Sequence, residues 1–128
     1  MISTLDHKNY IIDQIKGMNM LEPLLASTNC ERVLMFLAAR GEGYLREMAE
    51  FYATSPAPVF NQLEKLEAGG VLCSRLAGRT RLYSLNPRYP FLKELSALLE
   101  KALSFYPEDL RSALIENRRR PRRQGKPL

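Results

Sequence analysis

The chain of 128 residues lacks tryptophan and contains one histidine and two cysteines. No stretch reaches the roughly 18 apolar residues that a membrane-spanning helix needs. The first residues carry acids in place of the basic start of a secretory signal. The cysteines, Cys30 and Cys73, stand far apart in the sequence, which predicts reduced thiols and no disulfide framework. These absences predict a cytoplasmic protein without membrane contact.

The sequence also lacks the residue groups that catalysis requires. His7 is the single histidine, and it lies in an N-terminal segment where a solvated side chain is the expected state. No glycine-rich phosphate loop, metal-spaced cluster or nucleophile with a nearby base is visible. Cys30 and Cys73 are better interpreted as small buried residues, with a redox switch as the alternative. We therefore predict no enzyme, no metal site and no cofactor.

Positive charge is concentrated at the C-terminal end. The formal net charge is +5. From Arg111 to Leu128 there are seven bases and one acid, which leaves −1 for the preceding residues. A basic tail on a nearly neutral body favours a polyanionic partner, most often nucleic acid.

Helical periodicity predicts an N-terminal helical extension over 1–26, with one amphipathic helix at 6–16. A second helix is expected to begin near Ser27 and to end at Gly41, because serine favours the N-cap and glycine the C-terminal end. The segment "YLREMAEFY" predicts a third helix that buries one face.

The segment "SPAPVFNQLEKLEAGG" predicts a helix over 55–68. Ser55 is a good N-cap, and we expect its hydroxyl to accept from first-turn N–H groups. Pro56 and Pro58 then lie in the first turn, where the N–H groups that they lack have no intrahelical partner. The buried side is predicted to carry Val59, Leu63 and Leu66. The opposite side carries Ala57, Asn61, Glu64, Lys65 and Ala68.

The next segment, "VLCSRLAGRTRLYSLN", predicts a hairpin over 71–86 with a glycine turn. Three arginines cluster near its tip with no acid between them. They are Arg75, Arg79 and Arg81. A solubilising tip is the alternative, but this unbroken positive cluster favours contact with nucleic acid.

A leucine-rich helix is predicted over 90–106, followed by a short helix and basic tail over 107–128. The leucine-rich helix carries two adjacent apolar stripes. This is more apolar surface than one small core can cover, which favours contact with a second chain. The residues predicted at this interface are Phe91, Leu95, Leu98, Leu99, Ala102 and Phe105.

Residues from about 27 to 104 resemble the winged helix-turn-helix regulators of the ArsR-like and MarR-like superfamily. The resemblance is carried by "YLREMAEFYATSPAPVFNQLEKLEAGGVL" and "SRLAGRTRLYSLNPRYP". It implies a mainly α fold with a small β-hairpin (α+β), a winged domain over 27–89 and extra helices at both ends. It also implies a nucleoid-associated homodimer that binds double-stranded DNA, with the helix at 55–68 in the major groove and the wing beside it. Metal sensors of this superfamily often carry paired cysteines before the recognition helix, and "LREMAEFY" has none.

Residue chemistry suggests which side chains would contact DNA. Asn61 is suited to pair bidentately with adenine, and Ala57 is small enough to touch a thymine methyl group. Lys65 and the hydroxyls of Thr54 and Ser55 suit phosphates. The complete predicted set in the folded region is Thr54, Ser55, Ala57, Asn61, Gln62, Lys65, Arg75, Arg79 and Arg81. An ordinary solvated helix face is the alternative for Asn61 and Gln62, and packing against a helix is expected for Phe60.

The C-terminal segment "RRRPRRQGKP" loosely resembles an AT-hook, with a lysine in place of the arginine of its core. A basic tail that contacts phosphates without sequence preference is the simpler interpretation. The tail residues predicted to contact DNA are Arg119, Arg120, Arg122, Arg123 and Lys126.

A second function stays open on the sequence. Residues 42–86 hold five bases and five acids, so this region has little charge of its own for DNA. A winged-helix module that binds a protein partner, or an RNA-binding adaptor, fits the same pattern.

Overall fold

Helices dominate the computed structural model, which describes residues 20–116. The predicted first helix at 6–16, His7 and the basic tail lie outside the described residues. The described elements, in chain order, are α1 (Glu22–Leu25), α2 (Thr28–Arg40), β1 (Glu42–Tyr44), α3 (Leu45–Phe51), α4 (Pro56–Ala68), β2 (Leu72–Ala77), β3 (Thr80–Leu85), α5 (Leu92–Ser104) and α6 (Glu108–Glu116). This order confirms the predicted α+β winged-helix fold. The sequence did not predict the short elements α1 and β1.

Helix α2 forms the centre of the molecule. Ser27 caps its first turn as predicted, because the Cys30 N–H donates to Ser27 Oγ at 3.1 Å. The helix ends at Gly41, whose φ of 92° is accessible mainly to glycine. Nine of its 13 residues are buried, so the predicted stripe is only part of a helix that is covered on most sides. Helices α1, α4, α5 and α6 and strands β1 and β3 all pack against it.

Two charged residues of α2 are buried, and each has partners far away in the sequence. Glu31 Oε1 accepts from the Leu21 N–H at 3.1 Å, and its Oε2 accepts from the Tyr106 hydroxyl at 3.2 Å. Arg40 donates to the carbonyl oxygens of Leu114 and Ala113 at 2.9 and 3.2 Å. These carbonyls lie in the last turn of α6, where a cation is electrostatically favourable. Glu31 and Arg40 thereby join the chain ends of the described region to the core.

The three strands form an antiparallel sheet in the order β1-β3-β2. Gly43 of β1 lies against the ring of Phe36, since a Cβ atom at Gly43 would lie 2.6 Å from Phe36 Cε1. The turn between β2 and β3 consists of Gly78 and Arg79. Gly78 has a φ of 70°, which matches the glycine preference at the first position of a type II′ hairpin turn.

Helix α4 packs against α2 and α3 through the predicted side, where Val59 and Leu63 are fully buried. It ends as predicted at two glycines. The Gly70 N–H bonds to the Glu67 carbonyl and the Val71 N–H bonds to the Leu66 carbonyl, and Gly70 has a φ of 82°. This is a Schellman ending, and it turns the chain directly into β2.

Among the helices within residues 20–116, none combines the length and apolar character that crossing a membrane requires.

Candidate nucleic-acid interface

A tight turn sets helix α4 against helix α3. The Ala53 N–H bonds to the Glu50 carbonyl at 3.1 Å, and the Thr54 N–H bonds to the Ala49 carbonyl at 3.0 Å. Ala53 occupies the left-handed region, with a φ of 53°. This ending resembles that of α4, but with alanine at the position that glycine usually takes. The turn leaves Thr54 partly exposed and Ser55 exposed at the start of α4.

The predicted hydroxyl cap at Ser55 is wrong, although Ser55 does occupy the N-cap position. Its side chain accepts no hydrogen bond from the helix. An N-cap oxygen usually accepts from the second or third helical residue, and the third is Pro58, which has no N–H. Ala57 provides the only backbone donor among the first three helical residues, since Pro56 lacks one as well. The prolines therefore define where α4 begins but reduce its capacity to bind a phosphate through backbone amides.

The side of α4 opposite its buried residues is open to solvent. Ala57, Asn61 and Lys65 are exposed, and Gln62 is half-buried. Within residues 20–116, Asn61 makes no hydrogen bond, so its amide is available to an external partner. The structure thus places together on one accessible face the predicted base-reading and phosphate-binding residues of α4.

The three wing arginines differ in their surroundings. Arg79 lies exposed in the two-residue turn, and residues 20–116 provide no ion pair or hydrogen bond for it. Arg75 forms an ion pair with Glu42, with Arg75 Nη2 3.6 Å from Glu42 Oε1. Glu42 belongs to β1, the strand that sequence reasoning missed, so this pairing could not be anticipated.

Arg81 is tied to helix α4 through a serine. Its Nη1 donates to Ser74 Oγ at 3.0 Å, and the Ser74 hydroxyl donates to Glu67 Oε2 at 2.6 Å. Ser74 and Arg81 belong to the two wing strands, while Glu67 lies in the last turns of α4. This chain of bonds fixes the wing against α4 and places a carboxylate near Arg81. Neither Ser74 nor Glu67 was predicted as part of the site.

A groove of about 360 Å³ lies beside this contact and is lined by residues of α4, the wing and the start of α3. Its apolar part includes Leu45, Phe60 and Tyr83, and its charged rim includes Glu64 and Arg79. The side chain of Phe60 is 38% exposed. Phe60 therefore contributes to the lining of this groove together with Leu45 of α3 and keeps part of its ring open to solvent.

Helix α5 divides its predicted interface residues between the core and the surface. Leu99 and Ala102 are buried in the chain's own core, and Leu95 and Leu98 pack partly against it. Phe91 and Phe105 are exposed, at 61% and 63%. The aromatic residues at the two ends of α5 are thus the members of the predicted set that are most available to a second chain.

Both cysteines are free thiols. Burial raises the pKa of Cys30, an effect that Lys65 partly offsets, so its reactive thiolate is disfavoured at neutral pH. Cys73 is half-buried, with its Sγ 3.5 Å from Ser84 Oγ. Among residues 20–116, no three His, Cys, Asp or Glu side chains come together as a set that could hold a metal ion.

Two solved structures of a ZitR double mutant from Lactococcus lactis, one in the apo form, are similar to this chain. Both share 33% sequence identity with it at a TM-score of 0.50. The first alignment covers 62% of this chain and 57% of that chain, so it spans just over half of that chain. The alignment with the apo form covers 74% of each chain. No protein-family model and no curated protein matches the chain.

Proposed function

We propose that the chain is a sequence-specific DNA-binding transcriptional regulator of the ArsR-like and MarR-like kind. It belongs to the same family as ZitR. The observation that carries this proposal is the exposed face of α4, where Ala57, Asn61 and Lys65 are accessible beside an arginine-bearing wing. In this arrangement α4 enters the major groove, and the wing contacts the flanking backbone or minor groove.

The regulator is proposed to act as a homodimer. Phe91 and Phe105 are large apolar side chains exposed about four turns apart on α5, beside the half-buried Leu95 and Leu98. A second copy would cover these side chains and would bring two α4 helices to one duplex. Half-sites about 34 Å apart, one turn of DNA, would follow from the two-fold symmetry.

The basic tail is proposed to supply most of the electrostatic attraction. Residues 42–86 have no net charge, whereas the segment from Arg111 onward has a formal net charge of +6. Phosphate contacts by the tail would add affinity for any sequence and would make binding strongly dependent on salt.

Fluorescence anisotropy over a salt series tests this function. The probes are a duplex from the region upstream of the protein's own gene and an unrelated duplex of equal length. The proteins are the full chain and a chain ending at Asn117. We expect both proteins to prefer the upstream duplex by at least 1,000-fold, a typical specificity ratio. The shortened chain should bind more weakly and with a smaller salt slope.

Equal binding of both duplexes, abolished by the truncation, would contradict sequence-specific recognition by α4. It would favour the second candidate, a winged-helix module that binds a protein or RNA. The observation behind that candidate is the neutral charge of residues 42–86 together with the exposed Leu76 on the wing, at 62%. A complex with a partner protein that survives high salt would support it.

A further inference from the structure

An exposed carboxylate lies on the face of α4 that is proposed to read DNA. Glu64 follows Asn61 by three residues and Ala57 by seven, so the three side chains lie near one another along the same side of the helix. Glu64 is exposed. Within residues 20–116 it has no hydrogen-bond or ion-pair partner, although it borders the groove that Arg79 and Arg81 also line.

The second acid of this region has a different environment. Glu67 accepts a hydrogen bond from the Ser74 hydroxyl at 2.6 Å, and Ser74 in turn accepts from Arg81 at 3.0 Å. The charge of Glu67 is therefore compensated inside the protein. Glu64, one turn earlier, receives no such compensation from the described residues.

An uncompensated carboxylate at a DNA-binding surface repels every phosphate that approaches it. Such a group weakens binding to all duplexes unless the DNA offers it a donor. In the major groove the donors are the exocyclic amino groups of cytosine and adenine, and carboxylates characteristically accept from cytosine N4. Asn61 suits adenine because its amide both donates and accepts, whereas a carboxylate only accepts.

We propose that Glu64 is a specificity-determining residue that accepts a hydrogen bond from cytosine N4 in the major groove. This inference rests on the proposed function. Glu64 lies about 4.5 Å beyond Asn61 along the helix axis, slightly more than the spacing of about 3.4 Å between stacked bases. The cytosine would therefore belong to a base pair next to the one that Asn61 reads, or to the following one.

Selection from a library of random duplexes tests this assignment. The full-length chain is compared with Glu64→Gln and with Glu100→Gln, which removes the same charge from an exposed position on α5. We expect wild type and Glu100→Gln to select one motif that contains a C·G pair at a fixed position in each half-site. Glu64→Gln should no longer favour cytosine over adenine at that position, because its amide accepts like a carboxylate but can also donate to adenine N7. The preferences at the other positions should be unchanged. On single-base variants of the selected duplex, discrimination at that position should fall by roughly 5- to 100-fold.

Two results would overturn the inference, and they are distinguishable. If wild type selects a motif and Glu64→Gln selects the same one, while binding all duplexes more tightly, Glu64 is only a repulsive surface charge. If wild type selects no motif at all, the proposed function fails and the assignment of Glu64 fails with it. Equal thermal midpoints for the three proteins would establish that the substitutions act at the surface and not through folding.

Discussion

Helices α2 and α4 have the same length, 13 residues each, and opposite relations to the rest of the molecule. On α2, even the charged residues Glu31 and Arg40 are buried and hydrogen-bonded. On α4, only Val59 and Leu63 are buried, while the polar side opposite them is open. The partners of α2 thus lie within the chain, whereas those of the exposed α4 face are expected to lie outside it. Substitutions on the first helix should therefore change stability, and those on the exposed face of the second should change binding.

The largest stability effect is expected from Arg40→Met, which keeps an apolar stem but removes the guanidinium donors. Arg40 bonds to two carbonyls at the end of α6, and its Cζ lies 4.5 Å from the centroid of the Phe36 ring. Unpaired buried carbonyls and a lost charge-assisted bond should lower the free energy of unfolding by about 2–4 kcal/mol. Thermal unfolding measures this, with exposed Lys93→Met as the control. A midpoint no lower than that of the control would contradict the role assigned to Arg40.

The largest binding effect is expected from Asn61→Ala. Loss of a bidentate amide–adenine pair should weaken binding to the selected or upstream duplex by about 1–3 kcal/mol. Binding to an unrelated duplex should stay unchanged. The thermal midpoint should not fall, because Asn61 has no partner within residues 20–116 and alanine favours the helix. Exposed Glu94→Ala on α5 is the control. Equal weakening on both duplexes would indicate that Asn61 contributes no base recognition. The exposed face of α4 would then lack the base-reading role by which it is expected to differ from α2.

The contrast between the helices also explains how much of the structure could be predicted. The buried side of α4 follows a local 3.6-residue period, and its end depends on two neighbouring glycines, so both were predictable. The wing hairpin likewise depends on a glycine turn between adjacent strands. Each of these features is determined by residues close together in the sequence.

Features that depend on distant residues could not be predicted. Strand β1 is defined by its pairing with β3, as in the pair Glu42 and Ser84. A strand of three residues is too short to show a periodic pattern in the sequence. The partners of Arg40 lie 73 and 74 residues further along the chain. The ion pair of Arg75 depends on β1 in the same way. The absence of a hydroxyl cap at Ser55 could have been predicted from the sequence, because Pro58 lacks the N–H that the hydroxyl would most often bind.

A pH-dependent effect is expected from Glu31 in α2. Burial raises its pKa above the ordinary value of 4.5, although hydrogen bonds from Tyr106 and from the backbone of Leu21 and Glu22 partly offset this. Because the folded state holds this proton more tightly than the unfolded chain, the stabilisation is complete below about pH 4.5. It is lost as the pH rises through the raised value.

Chemical unfolding of wild type and Glu31→Gln between pH 4 and 8 measures this contribution. Glutamine keeps an acceptor for the Leu21 N–H and carries no titrating charge, so the variant should lose stability less than wild type as the pH rises. Exposed Glu100→Gln should follow wild type. A wild-type curve that rises over this range relative to Glu31→Gln would contradict the sign of the shift.

The smallest effects are expected on the wing. Its arginines differ as the two helices do, since one has a partner within the chain and another has none. Arg79 has no partner within residues 20–116, whereas Arg75 pairs with Glu42 at 3.6 Å. A phosphate contact by Arg79 would release one counterion, so Arg79→Ala should reduce the slope of log K against log salt by about 1. Arg75→Ala should change this slope less, because Arg75 would have to give up its ion pair with Glu42 before it could contact a phosphate. A larger change for Arg75→Ala would show that the ion pair opens on binding, and that partners seen within the chain do not separate structural from DNA-binding arginines on the wing.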